Sequence, residues 1–90
     1  MLNELNKMSI SKATNEQEML KAIKELTELN EVLIKGVNKD LDEDSLIDEI
    51  ADVEIMIDRL KYRFDIKLKV THRIFEKVSR QLKRWAWNQN

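Results

Sequence analysis

Apolar residues recur at spacings of three and four along three stretches of this chain, and helix start and stop signals separate them. The first stretch opens where Thr14 and Gln17 fit a capping box, each side chain bonding the other residue's backbone. It is expected to run over 14–35, up to Gly36, with an apolar stripe of Met19, Ala22, Ile23, Leu26, Leu29, Leu33 and Val37. The connection over 36–44 (GVNKDLDED) is polar, and its acids suit the start of a following helix. That second helix is expected over 45–64, with a stripe of Leu46, Ile50, Val53, Met56, Ile57, Leu60 and Phe64. A break near Asp65 rests on the capping ability of aspartate. A third helix follows over 66–87, its stripe made by Ile74, Phe75, Val78, Leu82 and Trp85. Residues 1–13 form an N-terminal segment, with a short helix over 1–8 and a linker over 9–13. The reading is one all-α domain over 1–90 whose three main helices form a helical bundle. Three helices of this length leave apolar stripe uncovered, so dimerisation is expected to complete the bundle.

Composition narrows the chemistry. Ninety residues allow one domain at most, near the size where a lone core is marginal. Zero cysteines exclude a disulfide scaffold, a thiolate zinc site and a cysteine nucleophile, and one histidine argues against a His-rich metal site. Sixteen basic against seventeen acidic residues give a net charge of −1, so no global field points to nucleic acid or an anionic membrane. No apolar run approaches the ~20 residues of a bilayer span and no signal-peptide pattern opens the chain, so a cytoplasmic location is expected. The charges are unevenly placed. Ten acids and three bases fall over 40–65, whereas seven bases and one acid fall over 67–84.

The acids divide by helical face. At about 100° per residue, Glu49 falls inside the second helix's stripe and Asp52 on its flank, while Glu54 and Asp58 fall on the solvent side. On the first helix, Glu25 borders the stripe and Glu28 lies one step further out. Glu25 can reach Lys21 and Glu28 can reach Lys24, but Glu49 and Asp52 have no base three or four positions away. Three residues of helix rise only ~4.5 Å. Two carboxylates at about 4 Å repel by ~4 kcal/mol at an effective dielectric near 20. If Glu25 and Glu28 face Glu49 and Asp52, the cluster needs a cation. An all-oxygen donor set suits Mg²⁺, with Mn²⁺ as the substitute, and Mg²⁺ keeps waters that it shares with substrate phosphates.

Glu25-Leu26-Thr27-Glu28 followed by Glu49-Ile50-Ala51-Asp52 resembles the ExxE…ExxD signature of the MazG-like, all-alpha nucleoside triphosphate pyrophosphohydrolases. The flanking KELTELNEVLIK and DEIADVEIMIDRL resemble it too, and the likeness spans residues 17–64, as in a compact phage or bacterial member. Many members carry a further Glu where this chain has Lys24. The resemblance implies Mg²⁺-dependent hydrolysis of the α–β bond of a nucleoside triphosphate, with Glu25, Glu28, Glu49 and Asp52 as metal ligands. It also implies a homodimer or homotetramer. Glu28 and Glu49 are the expected catalytic carboxylates, Glu28 orienting or deprotonating the attacking water. Lys77 and Arg80, one turn apart in EKVSRQLKR, are the expected phosphate contacts.

Other readings assign the same residues differently. A non-catalytic helical oligomerisation protein would hold the acids in cross-helix ion pairs, for example Glu49 with Lys67, and its melting would ignore Mg²⁺. A nucleic-acid binder would need a continuous basic face on the third helix, yet the bases scatter around the wheel, so no stable nucleic-acid binding and no membrane partner are expected. His72 is expected at the surface, Trp85 in packing, Trp87 at a fraying end or partner contact, and Asn30 hydrogen-bonded within the core.

Overall fold

The computed structural model describes Glu4, Lys7, Met8 and residues 12–89. The helix expected over 1–8 and the linker over 9–13 lie largely outside the described residues. Three helices follow one another, α1 (Asn15–Val37), α2 (Glu43–Arg63) and α3 (Lys67–Asn88), and no strand occurs among the described residues.

The ends of the helices show why they sit where they do. At the start of α1 the capping box is formed, Gln17 N donating to Thr14 Oγ1 at 3.1 Å and Thr14 N to Gln17 Oε1 at 2.9 Å. Gly36 does not end α1 but lies in its last turn. The left-handed residue beyond the helix is Lys39, at φ 68°, and Asp40 N donates to Lys35 O while Lys39 N donates to Gly36 O, a Schellman motif built without glycine. The glycine serves packing instead: a Cβ at Gly36 would lie 3.2 Å from Leu41 Cδ1, so its absence lets Leu41 fold across the helix end.

Asp42 starts α2 earlier than the sequence reading placed it. Its carboxylate accepts from Asp44 N at 3.1 Å, Ser45 N at 3.4 Å and Ser45 Oγ at 3.0 Å. A second Schellman motif ends α2, with Ile66 N donating to Lys61 O and Asp65 N to Tyr62 O. Asp65 therefore marks the break by adopting the left-handed conformation, at φ 54°, and not by capping α3, whose N-cap is Ile66 with no side-chain bond.

α1 and α2 pack as an antiparallel hairpin around Ala22, Val53 and Met56, flanked by half-buried Leu29, Val32, Leu46 and Leu60. One end of the hairpin is fastened by the Arg59 guanidinium, which donates to Glu18 from Nε at 3.0 Å and from Nη2 at 2.6 Å, both side chains buried. Arg63 donates there to Asn15 Oδ1 and to the Ala13 carbonyl.

This packing corrects the expected stripes. Met19, Ile23, Leu26, Leu33 and Val37 of α1, and Ile50, Ile57 and Phe64 of α2, are exposed. The buried seam is rotated toward Glu18, Ala22, Glu25 and Leu29 because Glu18 and Arg59 lock the register there. Asn30 is likewise exposed, not within a core. α3 buries no residue and packs on the hairpin chiefly through its root, where Ile66 and Val70 are half-buried. The molecule is somewhat extended, 53 × 36 × 21 Å, and among the described residues no helix is long and apolar enough to cross a membrane.

Candidate metal centre

Two helical turns along the seam from Glu18 and Arg59, the hairpin changes character. The ExxE and ExxD spacings put two carboxylates on the inner side of each helix, and the antiparallel register brings the four together. One oxygen from each of Glu25, Glu28, Glu49 and Asp52 lies within 4.8 Å of every other, and all four residues are half-buried. The sequence-derived quartet is thus assembled as a single cluster.

The cluster is short of positive charge. The Oε2 atoms of Glu25 and Glu49 are buried without a hydrogen-bond partner. Desolvation, then the charges of Glu28 and Asp52, raises the carboxyl of Glu25 above its ordinary range, with Lys24 only partly opposing. Glu49 is raised by the same desolvation and by the same two neighbouring charges. Lys24 reaches Glu28 at 4.0 Å, the i,i+4 pair expected from sequence, but its side chain is 69% exposed and the pair is correspondingly weak. Among the described residues, no ion pair joins Glu49 or Asp52 to a base, and Lys67, the partner considered for Glu49, is exposed.

The neighbouring level of the seam supplies the contrast. There the buried carboxylate of Glu18 is answered by Arg59, whose hydrogen bonds hold it below the usual carboxylate range despite desolvation. Sequence reasoning counted Arg59 only as one of the three bases in the acidic stretch 40–65 and passed over Glu18. The signal was available: Glu18, Ala22, Glu25 and Leu29 repeat at four-three-four spacing, the pattern of a hairpin seam.

The donor set fits a hard divalent ion. An octahedral Mg²⁺ with bonds of ~2.0–2.1 Å sets opposite ligand oxygens about 4 Å apart. The four oxygens, each within 4.8 Å of the others, lie near that spacing. Lys77 and Arg80 stand elsewhere. They line a shallow groove on α3 with Gln81 and Arg84. His72 lies at the surface, 3.3 Å from Glu76, and Trp85 and Trp87 are exposed. No known protein family, curated protein or solved structure matches the chain, so the site is read from its own geometry.

Proposed function

We propose that the protein is a Mg²⁺-dependent nucleoside triphosphate pyrophosphohydrolase of MazG-like type. The observation that supports this reading is the four-carboxylate cluster, with two of its buried oxygens lacking any partner. A carboxylate quartet on a hairpin is what the ExxE…ExxD resemblance implies. The rival reading of a non-catalytic protein with its acids in cross-helix ion pairs is met at Glu18 and Arg59 but not at the quartet.

Bound among these oxygens, Mg²⁺ or Mn²⁺ would neutralise charge on the triphosphate and lower the pKa of a bound water. The chain's own residues do the rest. Glu25, Glu49 and Asp52 would hold the ion on the half-buried side of the seam. Glu28, at the cluster's edge with its side chain 37% exposed, accepts the proton of the water that attacks the α-phosphorus. The bond from that phosphorus to the α–β bridging oxygen breaks, giving the monophosphate and pyrophosphate. Lys77 and Arg80 would reach the phosphates from a helix outside the hairpin, which calls for closure of α3 or a second chain. The uncovered apolar faces support a homodimer or homotetramer.

A panel of nucleoside triphosphates assayed with Mg²⁺ for pyrophosphate release tests the reading. Turnover that Glu49→Gln abolishes, with helix content unchanged, is expected. Absence of turnover on every nucleotide, or full turnover in Glu49→Gln, contradicts it.

A further inference from the structure

α3 carries a charge pattern unlike that of the other two helices. At about 100° per residue, Lys69, Arg73, Lys77, Arg80, Lys83 and Arg84 fall within roughly 120° of the helical wheel. The centre of that arc lies opposite the apolar face made by Ile74, Phe75, Val78, Leu82 and Trp85. The sequence reading counted these bases as scattered. Along the unbroken helix Lys67–Asn88 they form one row, with Lys69, Arg73, Lys77, Arg80 and Arg84 each three or four positions from the next. At 1.5 Å per residue the row runs about 22 Å from Lys69 to Arg84. Its side chains are exposed, and Lys77, Arg80 and Arg84 line, with Gln81, a shallow groove of about 230 Å³.

The row lacks counter-charge. α3 holds seven bases and one acid, a net +6, whereas the rest of the chain holds nine bases and sixteen acids, a net −7. The one acid, Glu76, is met by His72 at 3.3 Å and by Arg73 at 4.0 Å. Lys69, Lys77, Arg80, Lys83 and Arg84 have no ion-pair partner among the described residues. Like charges three and four positions apart weaken a helix, so the row is kept at a cost. The other helices avoid that cost by interleaving, Lys24 with Glu28 on α1 and Lys61 with Asp58 on α2.

Trp87 is the second observation. It is 81% exposed and lies about 160° from the centre of the apolar face, within the basic arc and one turn from Lys83 and Arg84. Its indole therefore has no apolar surface of its own helix to join, and it stands among cations.

We propose that the basic row of α3 binds single-stranded nucleic acid, its cations tracking successive phosphates and Trp87 stacking on a base at the C-terminal end. Row and indole together select this occupant. A duplex keeps its bases stacked and out of reach of Trp87, and an acidic peptide answers the charge but offers the indole no base. A bilayer fits less well, because a helix lying with its apolar face in lipid turns the middle of this row to water. The acidic remainder of the chain confines a polyanion to α3. A partner chain covering the apolar face would leave the row open, since the two lie on opposite sides. The surface goes beyond the hydrolase reading and stands apart from the carboxylate cluster, although Lys77 and Arg80 would meet phosphates in both.

Binding of the full chain to a fluorescein-labelled oligothymidylate, followed by anisotropy across salt concentrations, tests the proposal. Five phosphate contacts predict that log affinity falls with log salt at a slope of about −3.5. Arg73→Gln combined with Arg84→Gln should weaken binding and make that slope shallower by about 1.4. Trp87→Ala should weaken binding roughly 5- to 150-fold and leave the slope unchanged, the signature of a lost stacking contact. Circular dichroism of each variant checks that the helix persists. Absence of binding at low salt, or Trp87→Ala with native affinity, would overturn the proposal. So would equal affinity for polyglutamate, for phosphatidylglycerol vesicles or for inorganic triphosphate. No readout uses turnover, so this inference and the hydrolase reading fail separately.

Discussion

Glu25 and Glu49 differ from Glu18 in one respect that decides their chemistry: Glu18 has a guanidinium and they do not. Their pH effects therefore carry opposite signs. For Glu25 and Glu49 the folded pKa is raised above the unfolded value, so the folded state gains stability as pH falls into that raised range and loses it on the way up to neutrality. For Glu18 the folded value is lowered, so its contribution is present at neutral pH and is lost as pH falls through that lower value. Metal-free protein should thus be most stable at mildly acidic pH, between the two ranges. Mg²⁺ should stabilise it at pH 7 and cease to do so where protons occupy the same oxygens. Urea unfolding across pH with and without the ion checks both signs, and a metal-free optimum at neutral pH would speak against them. The buried pair gives a separate expectation. Arg59→Met leaves an unanswered buried carboxylate and should cost about 3–5 kcal/mol, whereas Glu18→Leu combined with Arg59→Met should recover most of the loss. A single variant as mild as a surface change would mean that the pair does not fasten the hairpin.

At the level of elements, the one helix end set by a capping box was more legible than the buried faces. The Thr14–Gln17 box is readable because capping is local: two side chains and two backbone groups suffice. The buried face of α1 is not local. Apolar residues run most of the way round the helix, from Val32 to Leu20, and the seam was selected by a pairing across forty-one positions, from Glu18 to Arg59. The candidate site was legible for the same reason as the cap, since ExxE and ExxD each fix two carboxylates on one helix face. Lys77 and Arg80 were harder to place because no local pattern says where an arm points. The turns also broke the usual rule by setting Lys39 and Asp65, not glycine, in the left-handed conformation. That conformation costs a non-glycine residue roughly 1–2 kcal/mol, partly offset by the greater chain entropy glycine brings to the unfolded state. Lys39→Gly should therefore stabilise the protein by about 0.5–1 kcal/mol in chemical denaturation; a destabilised variant would show that the lysine side chain matters to the turn.

At the scale of the molecule, three helices make one tight seam and leave two apolar surfaces and one acidic mouth facing outward. The account's central claim is that the mouth holds a divalent ion, and thermal melting with Mg²⁺ tests it without presupposing any substrate. At about ten times the dissociation constant, one bound ion adds ~1.4 kcal/mol to the folded state, equivalent to roughly 5–10 °C in a domain of this size. Titration with Mg²⁺ at constant ionic strength should raise the melting temperature of the native protein by that amount and leave Glu49→Gln nearly unmoved. Equal, or absent, shifts in the two proteins would contradict the claim.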